Sequence, residues 1–189
     1  MKQILLINNY DSFVYNVKQL LDESGLASTT MVFNDQLSEV NIEDFDKIVI
    51  SPGPGLPSEA GALKSFIEDH KSKPMLGICL GFQAIGEVFG AKLYRLPTIF
   101  HGHESDIFIK SKKGFIFNGI ETSFKAGRYH SWAFDPSCFP EVLEITSHTQ
   151  DGIIMSFVHK HLPITAVLFH PESIMTPQGN KMIKNWLLE

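Results

Sequence analysis

Along the first half of the chain, unbroken apolar runs alternate with apolar residues spaced three or four apart. Residues 4–7 form a continuous apolar run, as expected for a strand covered on both faces. Phe13, Val17, Leu20 and Leu21 then recur at helical spacing. Asp11 or Ser12 is placed to cap that helix and Gly25 to end it. Residues 29–33 read as a second strand, and 47–50 as a third that runs into Ser51-Pro52-Gly53-Pro54-Gly55. A helix over 60–70 follows, with Leu63, Phe66 and Ile67 on one face. Residues 74–78 form another buried strand with Cys79 at its end, and a helix carrying Phe82, Ile85 and Phe89 runs to Gly90. This alternation predicts an α/β fold: an open, doubly wound, mostly parallel sheet flanked by helices. Ligands in such sheets bind at the carboxyl ends of the strands, where the Pro-Gly-Pro-Gly loop and Cys79 both fall.

The second half adds short β-type runs at 106–110, 142–147, 153–159 and 163–169. A closing helix is expected from Thr176-Pro177, with Pro at its first position and a buried stripe of Met182, Ile183, Trp186 and Leu187. No repeat, low-complexity tract or linker interrupts the chain, so a single domain over 1–189 is expected. Hydrophobic residues make up 43% and charged residues 20%, a globular balance. The net charge of −5 gives no electrostatic reason to expect nucleic acid as the ligand. Two cysteines are too few for a disulfide framework and fit a reducing, cytoplasmic setting. The amino-terminal apolar run is too short for a signal peptide. No apolar stretch reaches the roughly 18 residues that a membrane span needs.

Gly77-Ile78-Cys79-Leu80-Gly81 carries the most chemistry. It is the cysteine counterpart of the G-x-S-x-G nucleophile elbow, in which a tight strand-to-helix turn demands neighbours without side chains. The turn sets the sulfur at a helix N-terminus, where the dipole favours thiolate, and the Leu80 amide can donate to an oxyanion. A buried core cysteine is the plainer reading; the flanking glycines favour the nucleophile. Cys138 lacks such a setting and reads as structural. A nucleophilic cysteine needs a base. His170 ends an apolar run on the same sheet edge, and Glu172 is placed to orient its ring. An isolated His-Pro-Glu would read as a turn with a solvated carboxylate; beside the elbow it reads as the rest of a triad. The exposed amides of the 51–55 loop can complete an oxyanion hole, although a Pro-Gly turn is common. Neither a P-loop nor a dinucleotide fingerprint occurs. His101/His103 and His159/His161 have metal-ligand spacing but no convincing further ligands, so no metal is expected. Arg128-Tyr129-His130-Ser131-Trp132 is polar and aromatic, and position alone gives it no role.

Ser-Pro-Gly-Pro-Gly at 51–55, Gly-Ile-Cys-Leu-Gly-Phe-Gln at 77–83, Arg-Tyr-His-Ser at 128–131 and His-Pro-Glu at 170–172 occur in an order and spacing that resemble class I, triad-type glutamine amidotransferases. Asn9-Tyr10-Asp11-Ser12-Phe13 and His101-Gly102 narrow the resemblance to the small subunit of anthranilate synthase or aminodeoxychorismate synthase. The resemblance implies that Cys79 attacks the side-chain amide of L-glutamine, that His170 is the base, and that Glu172 orients it. Gly53 and Leu80 amides would hold the oxyanion within the loop that contains Pro54. Gly55, Gln83, Ser131 and Trp132 would grip the amino-acid end of glutamine. Ammonia would pass to a large chorismate-binding synthase subunit, with no metal or organic cofactor, no nucleic acid and no membrane involved. Residues 54–57 and 97–104 are candidate partner contacts. Three positions depart from the family pattern: Phe82 replaces His, Trp132 replaces Leu, and His103 replaces a common Lys. Phe82 is expected to face the sheet. The competing reading is a stand-alone thiol hydrolase such as a γ-glutamyl hydrolase or peptidase; a non-catalytic module on the same fold is a third.

Overall fold

The computed structural model describes residues 1–189. The elements run β1 (Lys2–Asn8), α1 (Val14–Glu23), β2 (Ala27–Phe33), β3 (Lys47–Ile50), α2 (Leu63–His70), β4 (Met75–Ile78) and α3 (Leu80–Val88). Then come β5 (Leu93–Arg95), β6 (His103–Ile109), β7 (Ser123–Arg128), β8 (Trp132–Phe134), β9 (Leu143–Thr149), β10 (Ile154–His159), β11 (Ile164–Val167) and α4 (Gly179–Leu188). One sheet has the order β2-β1-β3-β4-β11-β10-β9-β6-β7, and β5-β8 form a small second sheet. From β2 to β11 every pairing is parallel. From β11 to β7 every pairing is antiparallel. The short β runs of the second half therefore extend the same sheet, and β11 is where its two halves meet.

The apolar run of β1 and all of β3, β4 and β11 are buried, as strands covered on both faces must be. Phe82 on α3 packs against Phe134 and Phe157 at ring separations of 5.0 and 4.9 Å, facing β8 and β10 as expected. The predicted boundaries shift where polar groups find other partners. Neither Asp11 nor Ser12 caps α1, because Phe13 already has helical backbone angles. Asp11 Oδ1 instead accepts the Phe13 amide at 2.7 Å. Gly25 follows α1 in the left-handed region, φ 71°, as a helix stop should. The helix expected over 60–70 begins only at Leu63: a tight turn at Pro57–Glu59 and left-handed Gly61, φ 57°, occupy the preceding stretch. Residues 176–178 are not helical, and α4 starts at Gly179.

Candidate active site

The elbow is built by close approach. Cys79 sits between β4 and α3 at φ 52°, ψ −99°, a strained conformation for a residue with a side chain. A Cβ on Gly77 would stand 2.6 Å from the Gly81 carbonyl, and one on Gly81 would stand 2.6 Å from the Ile50 carbonyl. Both positions must therefore be glycine for the turn to close. The Cys79 amide donates to Val167 O at 2.9 Å, so the last residue of β11 ties down the elbow.

That strand also delivers the histidine. After β11 the chain passes buried Leu168 and Phe169 to His170, whose amide donates to Gly127 O at 3.0 Å. The Thr176 hydroxyl donates to His170 O at 2.6 Å and accepts from the Gly127 amide at 3.0 Å, locking the turn onto the end of β7. The imidazole Nδ1 lies 2.7 Å from Glu172 Oε1, with both side chains buried. Phe13 and Tyr129 pack their rings against it. His170 Nε2 and Glu172 Oε2 are buried without hydrogen-bond partners. Burial opposes charge on the ring. Even so, Glu172 and then Cys79, through charge and hydrogen-bonding reach, lift its pKa well above the ordinary value. A sulfur nucleophile, an oriented imidazole with a free nitrogen, and a buried carboxylate can together run acyl transfer through a thioester.

The 51–55 loop is held by asparagines. Asn9 donates from its side chain to Ser51 O at 3.0 Å and from its amide to Ser51 Oγ at 3.1 Å, and Asn34 Nδ2 donates to Asn9 Oδ1 at 3.1 Å. A Cβ on Gly53 would fall 2.6 Å from Asn9 Cβ and would overlap the Leu80 side chain, so Gly53 lies directly beside Leu80. Gly55 occupies the left-handed region, φ 73°, and Pro54 beside it is exposed. Gln83 is buried on the first turn of α3, its amide on Cys79 O at 3.0 Å. Ser131 and Trp132 bridge β7 and β8, with Ser131 O accepting the Leu96 amide at 2.8 Å. Sequence reasoning missed the bonds that Asn9 and Thr176 make here; for Asn9 the motif around it was the available signal. No three His, Cys, Asp or Glu side chains converge as a metal-ligating group. No helix is long and apolar enough to cross a membrane.

The family model for class I glutamine amidotransferases matches residues 5–189. The chain belongs to that family. This amidotransferase is 42% identical to anthranilate synthase component 2 of Mycobacterium tuberculosis, over 98% of this chain and 81% of that protein. It is also 42% identical to the aminodeoxychorismate/anthranilate synthase component 2 of Bacillus subtilis, over 97% of this chain and 95% of the relative. Against the bifunctional protein TrpGD of Thermotoga maritima, at 42% identity, 99% of this amidotransferase matches but spans only 32% of the longer protein. Among solved structures, a Thermoplasma acidophilum protein provisionally assigned to GMP synthase superposes with a TM-score of 0.87 at 26% identity. That match covers 99% of this chain and 92% of the other.

Proposed function

We propose that this amidotransferase hydrolyses L-glutamine through Cys79, His170 and Glu172 and delivers the ammonia to a chorismate-using synthase subunit. The observation that carries the reading is the buried His170–Glu172 pair, whose free Nε2 belongs to the same edge as a strained cysteine at a helix N-terminus. Cys79 Sγ gives its proton to His170 Nε2 and attacks the γ-amide carbon, and the developing oxyanion takes hydrogen bonds from the Gly53 and Leu80 amides. The leaving nitrogen takes a proton from His170 Nε2 as the C–N bond breaks, giving ammonia and a thioester. Water then gives a proton to Nε2 and attacks the thioester, and as the C–S bond breaks Nε2 returns that proton to the sulfur, releasing glutamate and the thiol. Gly55, Gln83, Ser131 and Trp132 hold the amino-acid end of the substrate, and Pro54 stiffens the loop between the two glycines. The steps balance without a metal or organic cofactor.

Two relatives are named as the second component of a synthase, which supports a partner that uses the ammonia. Residues 54–57 and 97–104 are the proposed partner contacts. Both cysteines are free, in keeping with a reducing cytoplasm. The test uses the chain co-purified with its synthase subunit. Cys79→Ser should abolish aromatic amine formation from glutamine and chorismate while synthesis from added ammonia continues. Loss of both activities in a folded complex would refute the reading. Identifying the amine as the ortho or para isomer assigns the acceptor chemistry.

A further inference from the structure

Beneath the Ser131–Trp132 turn lies a buried pair that the hydrolysis itself does not use. Arg128, at the end of β7, and His130 are each only 3% exposed. The Arg128 guanidinium sits over the Phe100 ring, with Cζ 3.5 Å from the centroid. Nη1 donates to Ser105 Oγ at 3.4 Å, Nε donates to His130 Nε2 at 3.1 Å, and Nη2 is buried with no partner. A cation so placed is costly to bury, and burial lowers its pKa to about 10.

The neighbour explains the placement. Guanidinium can only donate, so His130 Nε2 must accept and the ring proton must sit on Nδ1. From there it donates to Trp132 O at 3.0 Å. Burial and the Arg128 charge hold His130 down to about 3, so the ring stays neutral. A ring protonated at Nε2 instead would turn the Nδ1 lone pair toward the Trp132 carbonyl and repel it.

We infer that Arg128 and His130 are positioning residues for glutamine: Arg128 fixes the tautomer of His130, and His130 anchors the Trp132 carbonyl, setting the main chain that meets the substrate's amino-acid end. The inference rests on the glutamine-hydrolysing reading above and names the residues that shape its binding wall.

Steady-state glutaminase measurements on the synthase complex test it. The side-chain amide of Asn overlays Nδ1, so His130→Asn keeps a donor for Trp132 O. That of Gln overlays Nε2, so His130→Gln serves Arg128 and abandons Trp132. His130→Gln should raise KM for glutamine about tenfold with kcat falling less than about threefold, the scale of one lost hydrogen bond; His130→Asn should restore most of that KM. Wild-type KM in His130→Gln, or equal KM increases in both variants, would overturn the inference in favour of simple packing. Nitrogen NMR of the wild-type imidazole gives a second readout that needs no variant: protonation at Nδ1, unchanged from about pH 5 to about pH 9, is expected. Protonation at Nε2 would overturn the inference. If the unsubstituted complex released no glutamate, the hydrolytic reading would fail first and this inference with it.

Discussion

His170 holds more charge than its burial would permit alone, because the Glu172 carboxylate is buried against it. Its pKa is raised by folding above the ordinary 6.5. The associated stability is therefore fully present below the unfolded value and is lost as pH rises through the folded one. Glu172→Gln should lower the melting temperature most at and below about pH 6.5, and the gap to wild type should narrow as pH rises from there. Thermal unfolding across that range checks it; a constant gap would mean that the carboxylate acts by packing. At this scale the sequence spelled out Cys79, His170 and Glu172, because glycines and a strand end advertise them locally. Asn9 was legible only as part of a motif, since its work lies in bonds to residues 42 and 25 positions away. Arg128 and His130 were opaque for a different reason: their meaning depends on which nitrogen carries a proton in a buried setting.

The strand-turn-helix from β4 to α3 is the element on which the proposed chemistry depends, and its tolerance is small. Gly81→Ala would press a methyl within 2.6 Å of the Ile50 carbonyl and 2.9 Å of its side chain. Backbone cannot swing aside as a flexible side chain can, so a loss of about 1–3 kcal/mol is expected. For a domain of this size that lowers Tm by about 2–4 °C per kcal/mol, and glutamine turnover should fall with it as the sulfur moves. A wild-type melting curve for this variant would show that the packing at the elbow is looser than described. The long apolar runs of β1, β3 and β4 were legible because both faces are buried. β5 and β8 were not, being three residues each, and β7 mixes exposed Ser123 and Lys125 into its run. The start of α4 was misread because Thr176, a good capping residue, spends its hydroxyl on His170 and Gly127 instead.

Across the whole molecule, the parallel and antiparallel halves of the sheet share one site through β11 and the turn after it. Cys79 comes from the parallel side, while Gly127, which grips His170, comes from the far antiparallel edge. Thr176 reinforces the direct bond from the His170 amide to the Gly127 carbonyl. Thr176→Val would leave a buried amide and a buried carbonyl without that partner, at a cost of about 1–3 kcal/mol. Denaturant unfolding should show that loss, and turnover per folded molecule should fall about tenfold as His170 drifts from the sulfur. Unchanged turnover would show that Glu172, the Gly127 carbonyl and the packed rings hold His170 without Thr176. The parallel pairing of the first half followed from the alternation of elements. The continuation of the same sheet past β11 did not, because short antiparallel strands give no signal of which neighbour they will choose.

The central place of β11 also governs how the protein can be made. β11 begins at Ile164 and lies between β4 and β10, so a nascent chain still short of it has β4 as a raw edge, its outer backbone groups unpaired. Until β11 leaves the ribosome, Cys79 has no Val167 carbonyl to seat its amide. A prematurely released fragment would thus be a client for chaperones and proteases, with the proposed nucleophile unseated.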